Sequence, residues 1–162
     1  MLTIKIVDET NRDIFTQMSQ DYEAEFSSIT KKSPGPDGQF TFTDHQPGVF
    51  DAWVAFDSHE PIGFVVVGLT PIVFDIAEFY IKPTMRKRKM GQSLAFCIFD
   101  LYAGDWQVRQ IIGAENARKF WLRVIANYTN GYFFDTSATD PDWGKIYIQT
   151  FRSATSGRHP RS

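Results

Sequence analysis

Cys97 is the only cysteine in the 162 residues. A single thiol cannot close an intramolecular disulfide or supply a cysteine-based zinc site. At helical spacing with Leu94, Ile98 and Leu101, it reads as a small buried hydrophobe. Long apolar runs are also missing. The longest, 62–74, is interrupted by Thr70 and Pro71 and is too short to span a bilayer. The opening residues, MLTIKIVDE, hold no charged segment followed by an apolar one, so no secretory signal is expected. Excess charge of one sign is absent, since 17 Lys and Arg stand against 19 Asp and Glu for a net −2. That balance argues against a nucleic-acid partner, whose phosphates call for a basic surplus. No internal repeat or linker-like stretch divides the chain. The expectation is a soluble, cytoplasmic protein with no membrane, nucleic-acid or metal partner.

What the chain does contain is core. A hydrophobic content of 43% and an aromatic content of 15%, at a one-domain length, support a packed globule. Residues 2–7 alternate as a strand. Thr10 or Asn11 can cap a helix whose Ile14, Met18, Tyr22, Phe26 and Ile29 share one apolar face. Residues 31–48, with SPGPDG, are loop chemistry, and QFTFTDHQPG allows a short extended piece. Loops carry specificity, so this one is a candidate for gripping a substrate, or else an ordinary surface connection. Strands at 50–57 and 61–69 form a hairpin through Ser58-His59-Glu60. The stretch 72–81 is rich in β-branched and aromatic residues and closes at Pro83.

A basic turn follows, 82–89, with Lys82, Arg86, Lys87, Arg88 and Lys89. From Met90 the period becomes helical and runs to Gly104. A helix N-terminus offers unpaired N–H groups and a partial positive charge. Among Arg and Lys it suits a phosphate-bearing ligand. Further on come a strand at 106–112, a helix at 114–127 stopped by Asn130-Gly131, and strands at 132–135 and 145–151 around the polar turn ATDPDWG. In that last helix Ala117, Phe120, Trp121, Val124, Ile125 and Tyr128 share a face. The order β-α-β-β-β-α-β-α-β-β fits one mixed α/β domain over 1–152, with 153–162 a disordered tail.

The segment Arg86–Gly91 (RKRKMG) resembles the R-x-x-G-x-G/A pyrophosphate loop of the GNAT N-acetyltransferases. It stands between a Y-[IV]-x-P strand end, Tyr80-Ile81-Lys82-Pro83, and an amphipathic helix. Residues 105–125 resemble that family's next strand and helix, with A-x-x-[FL]-[YW] at Ala117–Trp121. The resemblance implies an α/β (α+β) fold with a central, mixed, mostly antiparallel sheet of about seven strands and helices on both faces. It implies acetyl transfer from acetyl-CoA, as co-substrate and without a metal, to a small-molecule or peptide amine. The cofactor would be held by the backbone of Phe79, Tyr80 and Ile81, by Arg86, Lys87, Arg88 and Lys89, and by Met90, Gly91, Gln92 and Ser93. Asn116, Phe120 and Trp121 would contribute from the last helix. The family often places its catalytic acid on the central strand, where Glu78 is the first candidate and Asp75 the second. Being three apart, these two point to opposite faces unless a bulge intervenes. His45 and His59 fall in loops and rank below them.

Three positions depart from the family pattern: Lys89 and Ala114 replace the usual glycine and asparagine, and Trp121 replaces the tyrosine that protonates the leaving thiolate. Tyr128 and Tyr132 are substitutes for that tyrosine, Tyr128 also reading as core. The departures keep open a domain that binds CoA without turnover, or an interaction module using the basic turn. A homodimer is also open, with Trp143 and Tyr147 as interface or strand core.

Overall fold

The computed structural model describes residues 1–42 and 45–154. Its elements are β1 (Leu2–Ile6), α1 (Arg12–Thr30), β2 (Phe50–Asp57), β3 (Glu60–Leu69), β4 (Phe74–Ile81), α2 (Met90–Leu101), β5 (Asp105–Ile111), α3 (Glu115–Thr129), β6 (Phe134–Asp140) and β7 (Gly144–Arg152), with a 3₁₀ turn over Pro83–Arg88 before α2. This is the element order expected from the sequence. The strands form a seven-stranded sheet in the order β1-β2-β3-β4-β5-β7-β6. Pairs β1–β2, β2–β3, β5–β7 and β6–β7 are antiparallel, and β4–β5 is parallel. Two compact units make up the chain: Met1–Gly68 with Ala77–Gly91, and Leu69–Ile76 with the residues from Gln92 onward.

In the first unit, β2 and β3 pair from Phe50↔Gly68 to Asp57↔Glu60, leaving Ser58 and His59 as a two-residue turn. Residues 62–68 of β3 are all buried, a continuous run rather than an alternation. Both faces of that strand are therefore covered. Met18 joins Val54, Phe64, Val66 and Tyr80 in the core, with Ile14, Phe15 and Tyr22 packed against them, so the expected face of α1 is the one that docks. Asn11 precedes α1, yet its carboxamide does not cap the helix. It donates to the Ile6 carbonyl at 3.0 Å and accepts from the Asp8 N–H at 2.9 Å, tying β1 to the helix start.

The loop after α1 is pinned back onto it. Gln20 donates to the Phe40 carbonyl at 2.9 Å and accepts the Phe40 N–H at 2.8 Å, as a paired strand would. The Lys32 ammonium donates to Glu23 and to the Thr41 carbonyl, each at 2.7 Å. The extended piece allowed for here includes Thr43 and Asp44, which lie outside the described residues.

In the second unit, Thr70 closes a turn by donating to the Val73 carbonyl at 2.6 Å and accepting the Val73 N–H at 3.0 Å. That turn consumes Ile72 and Val73, so β4 begins at Phe74, two residues later than expected. The parallel β4–β5 register covers Phe74↔Trp106 and Asp75↔Gln107. Phe99 of α2 meets Trp106, Phe151, Trp121 and Tyr128 with ring centroids 4.8–6.3 Å apart, binding α2 and α3 to one face of β5 and β7.

Strand β6 runs through Asp140, five residues past the expected end, because each of its residues pairs with β7 and the turn shrinks to Pro141-Asp142-Trp143. Ser153, expected to open a tail, is buried. It accepts the Gly104 N–H at 2.9 Å and donates its own N–H to the Gly104 carbonyl at 2.8 Å. The remaining tail, 155–162, lies outside the described residues. No described helix is long and apolar enough to cross a membrane.

Candidate functional site

The end of β4 and the turn after it hold most of the residues singled out by sequence, and all of those from Ala77 to Gly91 belong to one unit. Ala77 and Tyr80 pack on the same cluster under α1, although a regular strand would turn them to opposite faces. The Tyr22 phenol of α1 donates a hydrogen bond to the Glu78 carboxylate. Burial, and then the carboxylate beside it, push the Tyr22 hydroxyl well above the usual tyrosine range, so at neutral pH it is a fixed donor.

Asp75 has a different environment. It is buried, and Arg109 grips it through Nε at 3.3 Å and Nη2 at 2.7 Å. Breaking such a pair would leave a charge stranded in a poorly solvated site. Asp75 is thus held in an ion pair with Arg109, whereas Glu78 accepts from the Tyr22 phenol.

Beyond Tyr80 and Ile81, Lys82 turns the chain into the 3₁₀ segment Pro83–Arg88, with proline at its start, where the missing N–H costs nothing. Arg86, Lys87, Arg88 and Lys89 are exposed. Arg86 is oriented on three sides. Its Nε donates to the Ile81 carbonyl at 2.8 Å, its two Nη atoms hold Glu25 of α1 at 2.7 Å each, and its guanidinium lies 5.8 Å from the Tyr80 ring centre. The hydrogen bonds to Glu25 raise its affinity for its proton, and the arginine stays charged. Of the roughly five N–H groups on a guanidinium, these contacts use three and leave two for an anion.

Lys89 adopts φ 58°, ψ 17°, a left-handed conformation, immediately before α2. That is the conformation glycine takes at least cost, which accounts for glycine at the matching family position. Here a lysine bears the cost and adds charge. Met90 is half-buried and Gly91 buried, while Ser93 is exposed. Gln92 accepts a 3.0 Å hydrogen bond from Asn127 of α3.

A cavity of about 350 Å³ lies near Lys82, lined also by Asp13, Gln17, Asp21, Ile14, Met18 and Pro61. Two carboxylates against one ammonium make it the wrong sign for a phosphate group.

In the other unit, Asn116 is exposed in the first turn of α3, and Ala114 holds the N-cap with no side-chain hydrogen bond. Trp121 is buried, and half-buried Phe120 lies edge-on to it at 5.0 Å. Tyr128 is core, as its periodicity suggested, with its hydroxyl donating to Asp100 at 2.7 Å. Sequence reasoning missed two partners, Tyr22 and Glu25. A phenol on an apolar helix face is a signal that a buried acceptor waits for it. Glu25 gave no signal, because its partner is 61 residues away.

No family model matches the sequence, and no curated protein does either. Solved structures match its fold at low identity. An acetyltransferase of the GNAT family from Staphylococcus aureus Mu50 is 13% identical, covers 93% of this chain and 99% of its own, and superposes with a TM-score of 0.60. The ribosomal-protein-S18-alanine N-acetyltransferase of Escherichia coli is 11% identical with full coverage of both chains and a TM-score of 0.58. A Bacillus subtilis acetyltransferase solved in complex with CoA is 13% identical, covers 94% and 99%, and scores 0.57. The chain has the fold of the GNAT acetyltransferases.

Proposed function

We propose that this protein transfers an acetyl group from acetyl-CoA to a primary amine by direct attack within a ternary complex. The observation that carries this reading is the five-cation turn set between the end of β4 and the start of α2. In that place, exposed Arg86, Lys87, Arg88 and Lys89 would neutralise the CoA phosphates, with the first N–H groups of α2 as directed donors. The pantetheine arm would lie along Phe79, Tyr80 and Ile81 as an added strand, the mode by which extended ligands join sheet edges. Support also comes from one neighbour of the same fold, which was solved with CoA.

In the reaction, the amine nitrogen attacks the thioester carbonyl, the carbon–sulfur bond breaks, and the thiolate leaves with CoA. The attacking ammonium must first lose a proton, and Glu78 is the group assigned to take it, directly or through water. Tyr22 holds that carboxylate in place. Trp121 cannot protonate the thiolate, since an indole N–H is far too weak an acid; it is assigned to packing. Asp75, committed to Arg109, is left out of the chemistry. Among neighbours with this fold, one is named as a ribosomal-protein-S18-alanine N-acetyltransferase and another as a spermidine N-acetyltransferase chimera. The site residues do not favour one class over the other.

Calorimetric titration of acetyl-CoA into the protein tests the reading. Binding at about micromolar Kd is expected, weakened at least about tenfold in an Arg86→Ala, Lys89→Ala double variant. Release of CoA over an amine panel should then fall by roughly 10²–10⁴ in kcat on Glu78→Gln. No binding by the unmodified protein would sink the reading. Binding without turnover would leave a CoA-binding module.

A further inference from the structure

Residues 39–42 are fastened to α1 at two places. Gln20 makes two hydrogen bonds to the Phe40 backbone, at 2.9 and 2.8 Å, and the Lys32 ammonium bridges Glu23 and the Thr41 carbonyl, at 2.7 Å each. Glu23 is only 7% exposed, and a carboxylate so deeply buried needs a cation on it. Phe42 follows directly after both fastenings. Its ring meets Tyr22 edge-on at 6.3 Å, Phe15 at 5.9 Å and Phe64 at 6.1 Å. Tyr22, whose phenol donates to Glu78, has its own ring enclosed by Phe26, Phe42, Phe64 and Tyr80, with centroids 5.6–6.3 Å away. Phe26 belongs to α1, Phe64 to β3 and Tyr80 to β4. Of these four rings, Phe42 alone lies outside a helix or strand, so its place depends on Lys32 and Gln20.

We propose that Lys32 is a positioning residue for Glu78. Holding Thr41 against Glu23, it keeps Phe42 on the Tyr22 ring, and the enclosed ring keeps its phenol on the carboxylate. The proposal rests on the reading of Glu78 as the base. An ammonium suits the task because it carries several donors and here serves a side chain and a backbone carbonyl at once. The charged groups acting on the phenol are Glu78 of β4 and Glu23 of its own helix, while Asp21, Glu25 and Arg86 act on the neighbouring Tyr80. Lys32 therefore also balances Glu23. Without it, a second carboxylate charge beside the phenol would raise the proton affinity of Glu78, as would a displaced phenol.

The acid limb of the kcat/KM profile for the amine, with acetyl-CoA saturating, tests this in Lys32→Met, Lys32→Arg and Gln20→Leu. Lys32→Met should move the limb up by about one pH unit, a roughly tenfold loss of kcat/KM on its acid side, with CoA affinity unchanged. Lys32→Arg should restore most of that loss, since a guanidinium also offers several donors. Gln20→Leu loosens the same residues without altering any charge and should move the limb in the same direction. It carries the test where a thermal melt shows that stranding Glu23 unfolds Lys32→Met. In a Tyr22→Phe background, Gln20→Leu should shift the limb no further, because the residue it acts through has lost its hydroxyl. A limb unmoved in both Lys32→Met and Gln20→Leu overturns the proposal, and so does a Gln20→Leu shift that adds in full to that of Tyr22→Phe. An unmodified protein that binds acetyl-CoA and acetylates no amine fails earlier, at Glu78 as the base, and takes the proposal with it.

Discussion

Arg86 shows how one side chain can be both restrained and available. Glu25 and the Ile81 carbonyl fix its guanidinium, yet Glu25 also cancels much of its charge. Both members of the pair are largely exposed, and exposed pairs contribute little to stability, about 0–1 kcal/mol. The lost charge should therefore matter more than the lost restraint. Glu25→Gln is expected to tighten CoA binding about two- to fivefold and to steepen its salt dependence, both read by calorimetry at two ionic strengths. Weaker binding would mean that orientation outweighs charge. Tyr22 makes a second residue-scale case. Its phenol stabilises the charged form of Glu78, so Tyr22→Phe should move the acid limb of the kcat/KM profile to higher pH and leave CoA affinity unchanged. A profile that keeps its limb while kcat falls would show Tyr22 acting only through packing.

At the scale of elements, β3 and β4 approach closely at Gly63. A Cβ on Gly63 would collide with the Tyr80 carbonyl oxygen. That oxygen belongs to backbone and cannot rotate aside. Gly63→Ala should cost about 1–3 kcal/mol, seen as a lower urea midpoint at unchanged m, and should weaken CoA binding by displacing the Tyr80 backbone. Nothing in the sequence singles out this glycine, since close approach is a property of two strands and not of one. What was legible followed the same rule. The face of α1 at Ile14, Met18 and Tyr22, the face of α3 and the basic turn into α2 are local patterns, and each is found as expected. Errors came where a local signal was countermanded. Ile72 and Val73 read as strand, but Thr70 turns them; ATDPDWG read as turn, but β7 draws its first three residues into a strand. The pairing of Asp75 with Arg109, 34 residues on, was beyond any pattern in the chain.

For the whole molecule, the displaced titrations set a stability window whose two ends have different causes. Asp8 is held below the ordinary carboxylate value first by the Thr10 hydroxyl and then by backbone N–H groups. Burial alone would raise Asp135, but hydrogen bonds from Arg118 and Gln149 outweigh it and carry it lower too. Groups with lowered folded-state values bind protons less tightly in the fold than out of it. Their contribution is complete above the unfolded carboxylate range near 4 and is lost as pH falls through the folded values. Tyr22 and Tyr80 are displaced upward, mainly by burial, with Glu78 acting on Tyr22 and Asp21 and Glu25 on Tyr80. Their contribution is complete below about pH 10 and fades as pH climbs through the raised values. Urea midpoints should accordingly hold a plateau between these limits, falling on the acid side below about pH 4 and on the alkaline side above about pH 10. The two limbs can be assigned separately. Asp135→Asn should flatten the acid limb and leave the alkaline one alone, and Tyr22→Phe should do the reverse. An alkaline limb unchanged in Tyr22→Phe would show that the Tyr22–Glu78 contact contributes nothing to the fold's proton balance, and the case for Tyr22 as the residue that holds Glu78 would fall with it.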